Sequence, residues 1–161
     1  MTAPEQACPV SWGDTLPTFD DALAAFYAYM RVEWDERVQK IGQGEDRCAY
    51  LVDGVVYKMG PRATANPYDH ATLEAARRAG LPWAPPSELF QLVNKYSGEE
   101  WSIMAMPYIQ DDGTDPDPDA MARMREETGG QVDFTNYRTI GGQPVVIDGC
   151  TVDRGPWYHE A

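Results

Sequence analysis

The sequence predicts an α+β fold, and three observations carry that expectation. An apolar stripe at three- and four-residue spacing begins near residue 18, β-hairpin signals lie at Asp53-Gly54 and Gly141-Gly142, and a second helical run separates the first hairpin from a further pair of strands. The resulting order is helix, hairpin, helix, two strands, short helix, hairpin. Regular βαβ alternation, the mark of a parallel sheet, is absent from it.

Residues 1–16, rich in Pro, Gly and small polar side chains, read as a loose N-terminal arm ahead of a single domain over 17–161. At Thr18 the character changes. Thr18 and Asp21 form an acidic variant of the capping box, and Phe19, Leu23, Phe26, Tyr27, Met30 and Trp34 recur on one helical face. So aromatic a face has to pack on something, and core packing is its simplest destination. Arg47 to Val52 and Val55 to Met59 are β-prone runs around the Asp53-Gly54 turn, with Ile41-Gly42-Gln43-Gly44 ahead of them.

A second helix follows, with Asn66 expected as its cap, Pro67 in its first turn, and Gly80 and Pro82 past its end. The segment Leu81-Pro82-Trp83-Ala84-Pro85-Pro86 reads as an extended connector. Strands are expected over Leu89 to Lys95 and Trp101 to Ile109, joined near Ser97-Gly98. Asp111 to Asp119 reads as a solvated acidic linker, since the order of an EF-hand loop is not met. Asp117-Pro118 starts a short helix stopped by Gly129-Gly130, and Asn136 to Ile140 with Gln143 to Ile147 complete the last hairpin.

At 161 residues, 43% of them hydrophobic, the chain can bury a core of its own. It holds no apolar run of about 18 residues and no basic-then-apolar leader, so a cytoplasmic, non-membrane protein is expected. Cys8, Cys48 and Cys150 are too scattered for a metal knuckle or a disulfide framework. His70 and His159 have no metal-ligand spacing, and no GxSxG, HExxH or Walker loop is present. The formal net charge of −13 argues against direct nucleic-acid or anionic-membrane binding. That charge serves solubility alone, or it draws in a basic protein partner.

Taken singly, the chemistry-bearing residues are commonplace: a GxG turn, a strand lysine, a helix glutamate. Asp148 is more telling, because a carboxylate just past the apolar run Val145-Val146-Ile147 asks for a partner or a cation. Their order is what matters. A glycine turn, a hairpin with Lys58 on its second strand, Glu74 on the next helix, two strands ending in Met106-Pro107-Tyr108-Ile109, then Asn136 and Val-Val-Ile-Asp148: this resembles the protein-kinase-like fold, and the stretches Gly54-Val55-Val56-Tyr57-Lys58 and Pro82-Trp83-Ala84-Pro85-Pro86 are similar to small kinase-like proteins of actinobacteria and their phages.

The resemblance implies a kinase-like N-terminal lobe, an antiparallel sheet plus helix over about 38–109, followed by a strongly reduced C-terminal lobe over about 110–161. It implies ATP and Mg²⁺ as cofactors. Gly42 and Gly44 match the loop over the phosphates, Lys58 the phosphate-binding lysine and Glu74 its partner. Met106 and Tyr108 fall in the hinge that receives adenine, and Asn136 and Asp148 match the metal ligands.

The departures are as informative. Where the family carries its catalytic aspartate, five residues before the asparagine, this chain has Gln131; Asp133 could act as the base only in a rebuilt loop. Beyond Asp148 the chain is too short to build a peptide-substrate lobe. The sequence therefore leaves two readings open. One is a minimal nucleotide-binding pseudokinase, a kinase-like phosphotransferase if active. The other is a non-catalytic, acidic, phage-type interaction or inhibitor protein, a DNA mimic included, acting on a basic host enzyme.

Overall fold

The computed structural model describes residues 7–44 and 46–160, so residues 1–6 of the expected arm lie outside the described residues. In chain order the elements are α1 (Phe19–Tyr29), β1 (Gln39–Gln43), β2 (Cys48–Val52), β3 (Val55–Met59), α2 (Ala65–Arg78), β4 (Glu88–Val93), β5 (Glu100–Pro107), α3 (Pro118–Thr128), β6 (Tyr137–Ile140) and β7 (Gln143–Val146), then a 3-10 turn at Gly149–Thr151. The fold is α+β. Five antiparallel strands form one sheet in the order β1-β2-β3-β5-β4, and β6 and β7 form a separate hairpin. Among the described residues no helix is long and apolar enough to cross a membrane.

The chain divides into two compact units. A sheet unit comprises Trp12–His70 and Ser87–Tyr108; a hairpin unit comprises Ala71–Pro86, Ile109 onward and the described part of the first eleven residues. Helix α2 is shared, residues 65–70 falling in the former and 71–78 in the latter.

In the sheet unit, α1 begins where the Thr18 hydroxyl oxygen accepts a hydrogen bond from the Asp21 N–H. It ends in a Schellman arrangement: the Arg31 N–H donates to Ala28 O and the Val32 N–H to Tyr27 O, with Arg31 left-handed at φ 58°. The apolar periodicity runs on to Trp34, but this turn halts the helix and leaves Trp34 exposed. The face that α1 buries most deeply is not its aromatic stripe, of which Phe26 packs against the core while Phe19 and Met30 stay exposed. Ala22 and Ala25, both fully buried, meet Tyr50, Val52, Val55, Tyr57, Met59, Ile103 and Ala105, because small side chains let the helix approach the sheet closely.

Strand β1 is an edge strand with four of its five residues exposed, so it has no hydrophobic alternation to announce it. A register shift between Lys40 and Gly42 bends it against β2. The Asp53-Gly54 turn has both central residues left-handed, the type I′ geometry that a tight hairpin requires.

Asn66 stands inside α2 rather than capping it. Its side-chain nitrogen donates to Lys58 O (2.9 Å) and Ser102 O (2.8 Å), while its oxygen accepts from the Arg47 guanidinium (3.0 Å). One turn on, Asp69 pairs with Arg47 at 2.8 Å, both side chains being almost wholly buried. Gly60 carries the chain past this point. A Cβ there would lie 1.9 Å from Asp46 O.

In the hairpin unit, the connector 81–86 is buried and Trp83 sits at its core. The Trp83 indole N–H donates to Glu127 Oε1, Trp83 O accepts from the Val146 N–H, and Trp157 stacks edge-on against Trp83 at 5.5 Å. Helix α3 starts on the Asp117 cap, packs on β7 and ends at a left-handed Gly129. The C-terminal segment is docked through Arg154, which bonds to Thr72 and lies over the Tyr158 ring, and through Trp157, which bonds to Glu127 O.

Two substitutions should move stability in opposite directions in thermal unfolding. Gly60→Ala forces a methyl against backbone and should cost about 2–3 kcal/mol. Arg31→Gly relieves the left-handed strain and should gain up to about 1 kcal/mol. An unchanged melting temperature for the first, or a lowered one for the second, contradicts this packing.

Candidate functional site

The sheet unit places five of the expected residues. Register puts Gly42, Ala49, Lys58, Met104 and Leu89 in a single cross-strand row spanning all five strands. Because Tyr57 and Met59 face the α1 core, alternation puts Lys58 on the opposite face, where it is half-buried on the central strand. Gly44 closes its turn by donating its N–H to Arg47 O at 2.8 Å. A Cβ would meet nothing nearer than 3.8 Å at Gly42 and 3.7 Å at Gly44, and neither residue has a left-handed φ. The fold itself does not demand glycine at either position.

Met106 is buried opposite Val56, and Tyr108 is partly exposed just beyond β5. The Tyr108 N–H donates to Gly54 O at 3.0 Å. A hinge-type hydrogen bond from that N–H to an adenine therefore requires this bond to open.

The hairpin unit places the other four. Glu74 is half-buried on α2. Asn136 and Asp133 form a tight loop, with the Asn136 N–H on Asp133 O (2.9 Å) and its side-chain nitrogen on Asp133 Oδ1 (3.2 Å). The Ile147 N–H donates to Asn136 O, extending the β6–β7 ladder by one pair. Asn136 and Asp148 thus emerge together at the open end of the hairpin. Asp148 is extended and caps the following 3-10 turn, accepting from the Cys150 N–H at 3.1 Å.

Asp133 also accepts from the Thr135 hydroxyl and N–H, and these bonds hold its carboxyl below the ordinary range, the hydroxyl contributing most and burial opposing. A general base works best with a pKa near the operating pH, so this carboxylate is poorly placed to take a hydroxyl proton. Its observed work is to shape the loop. Asn136 and Asp148 offer hard oxygen donors of the kind Mg²⁺ prefers, and Lys58 supplies a cation on the sheet face opposite α1.

No protein-family model matches the chain, and neither a curated protein nor a solved structure shows significant similarity to it. Its chemistry must be read from its own geometry.

Some residues that matter to that geometry carry no local signal of their role in the sequence. Arg47 and Asp69 form a buried pair, and Asn66, taken for a cap, is the bridge between helix and sheet. The acidic stretch 111–119 is exposed, yet it clasps the β6–β7 turn. Asp111 accepts from the Thr139 N–H, Asp112 from the Gly141 N–H at 2.7 Å, and Thr114 from the Gly142 N–H. Cys8 has a thiol pushed up to about 11, chiefly by burial, which makes it an inert packing group.

Asp112 gives a pH prediction of definite sign. Bonds from the Thr114 hydroxyl, then from the Gly141 and Thr114 N–H groups, depress its carboxyl. A depressed folded-state pKa contributes stability above the unfolded value of about 4, and that stability is lost as pH falls. Melting temperatures of wild type and Asp112→Asn should therefore differ at pH 7 and converge below about pH 4. A gap that widens on acidification contradicts the assignment.

Proposed function

We propose that this chain is a minimal kinase-like protein that binds ATP with Mg²⁺ and acts as a pseudokinase rather than an efficient phosphotransferase. The observation that carries this is the cross-strand row itself. A half-buried lysine on the central strand shares one sheet face with the glycine turn. Helix α2 stands between β3 and β4, the order that the resemblance to the kinase-like fold requires.

Within this reading Gly42 and Gly44 leave backbone open to phosphate oxygens, since a side chain there is neither needed nor filled by a neighbour. Lys58 neutralises phosphate charge, and Glu74 is assigned as its partner from the resemblance. Asn136 and Asp148 are the metal ligands, and their joint emergence at the end of the β6–β7 hairpin supports that assignment. When bound, Mg²⁺ supplies charge neutralisation at the phosphates. Met106 and Tyr108 mark the base-binding edge, with the Tyr108–Gly54 bond as a barrier to adenine recognition.

Transfer is the weak step. Gln131 cannot accept a proton as a carboxylate does, and Asp133 is committed to Thr135 and Asn136. Binding thus accounts for more of the chain than catalysis does.

Thermal shift tests this reading. At ten times its dissociation constant MgATP stabilises by about 1.4 kcal/mol, which is a rise of about 3–5 °C for a chain this size. The rise should vanish in Lys58→Ala and lose its Mg²⁺ dependence in Asp148→Asn. No shift at millimolar MgATP, or an equal shift in a folded Lys58→Ala protein, overturns it.

A further inference from the structure

The aromatic stripe of α1 has only part of its surface covered. Phe19, Leu23, Phe26 and Met30 recur at i, i+4, i+7 and i+11, forming one continuous ridge. Phe19 and Met30 remain 47% and 45% exposed, because Ala22 and Ala25 make the core contact instead. Between this ridge and β4–β5 runs an open groove of about 420 Å³, floored by Leu92 and Trp101. Phe26 packs edge-on against the Trp101 ring at 5.5 Å, which joins the ridge to the floor. Val93, 61% exposed, extends the apolar surface along the edge strand.

The charged residues that line this groove and the depression beside it are all acidic, although Arg37 pairs with Asp35 at 3.1 Å and Arg31 and Lys40 lie beyond Glu33. Asp20, Glu33 and Asp35 line an adjoining depression of about 180 Å³ on the far flank of Leu23 and Tyr27. Glu99 stands across the groove beside β4. Neither depression has a lysine or arginine in its lining. An apolar trough between carboxylates is complementary to a segment that is apolar on one face and cationic along its flanks.

We propose that this groove is the docking site for a basic amphipathic helix of a partner protein. The apolar face of that helix lies along Phe19, Leu23, Phe26 and Met30, and its Lys and Arg side chains reach Asp20 and Glu33 on one side and Glu99 on the other. A helix fits because the α1 ridge is the spacing that receives a second helix at about 8–10 Å. A second copy of this chain is disfavoured, since it would bring like-charged rims together on a protein of net charge −13. None of the nucleotide-binding candidates lines the groove, so this inference and the preceding one stand or fall separately.

The probe is a fluorescein-labelled peptide of about 18 residues, Leu and Lys in amphipathic order, long enough to hold a helix when bound. Its counterpart carries Glu for every Lys. Fluorescence anisotropy, run without nucleotide, should show saturable binding of the Leu/Lys peptide and none of the Leu/Glu peptide. Phe19→Ser with Met30→Ser should weaken binding about tenfold through lost apolar contact. Asp20→Asn with Glu33→Gln should weaken it about threefold and flatten its salt dependence.

Asp119→Asn with Glu126→Gln, which removes the same charge from α3, should leave binding unchanged, and circular dichroism verifies that every variant is folded. Equal loss in the α3 control and the rim variant means diffuse attraction and overturns the proposal. So does equal binding of the two peptides, or no binding. A concentration-dependent dimer in sedimentation that Phe19→Ser with Met30→Ser abolishes assigns the groove to a second copy and overturns it as well.

Discussion

The sheet unit depends on one side chain. The last paired residues of β3 and β5 are Lys58 and Met104, and past them the strands part. Two backbone carbonyls, Lys58 O and Ser102 O, are left there in a partly buried setting. An unsatisfied carbonyl in such a place costs about 1–3 kcal/mol. The Asn66 amide has two N–H donors and one acceptor oxygen, and it spends all three: one donor on each carbonyl and the oxygen on Arg47. Asp69, a turn further along the same helix, neutralises Arg47. A single turn of α2 thereby grips β2, β3 and β5 at once. Removing one partner of a buried ion pair costs about 3–5 kcal/mol, so the arrangement is held as a set.

The same contacts reach the residues with chemical potential. Arg47 O fixes Gly44 N–H and so the turn that links β1 to β2, while Asn66 fixes the carbonyl of Lys58 itself. The glycine turn and the lysine are thus set by a packing device that contains neither. In the hairpin unit the parallel role falls to Glu127. Its carboxylate receives Trp83 and Arg123, its backbone oxygen receives Trp157, and around it α3, the 81–86 connector and the C-terminal segment are held together. Asp133, expected from the resemblance as a substitute base, is tied into its loop by Thr135 and Asn136.

Local signals were legible where local physics decides. The Thr18 cap, the Asp53-Gly54 turn, the Asp117-Pro118 start and the Gly129 stop of α3 all follow from short-range rules and stand as expected. The failures are tertiary. Asn66 looks like a cap because it is an asparagine at a helix start, and only the meeting of β3 with β5 gives it a different task. Strand β1 has no sequence signature because an exposed edge strand carries no alternation. The α1 stripe reads as core, and Phe26 does pack there, but periodicity reports which residues share a face, not which face approaches the sheet most closely; Ala22 and Ala25 do that. For the candidate residues the sequence shows the elements that carry them, Lys58 on a strand and Glu74 on a helix, and not their hydrogen-bond partners: nothing local says that Tyr108 N–H is spent on Gly54 or that Asp133 is tied to Thr135.

The central proposal, which rests on the resemblance, is that the chain binds a magnesium nucleotide, with the glycine turn and Lys58 assigned to its phosphates and Asn136 and Asp148 to its metal. Hydrogen exchange with and without MgATP measures this at each backbone amide. The account predicts slowed exchange at residues 42–44, at 58 and at 147–150, absent when Mg²⁺ is withheld, with α1 unchanged. Exchange that is identical with and without MgATP, or protection confined to α1 and β4, would contradict it.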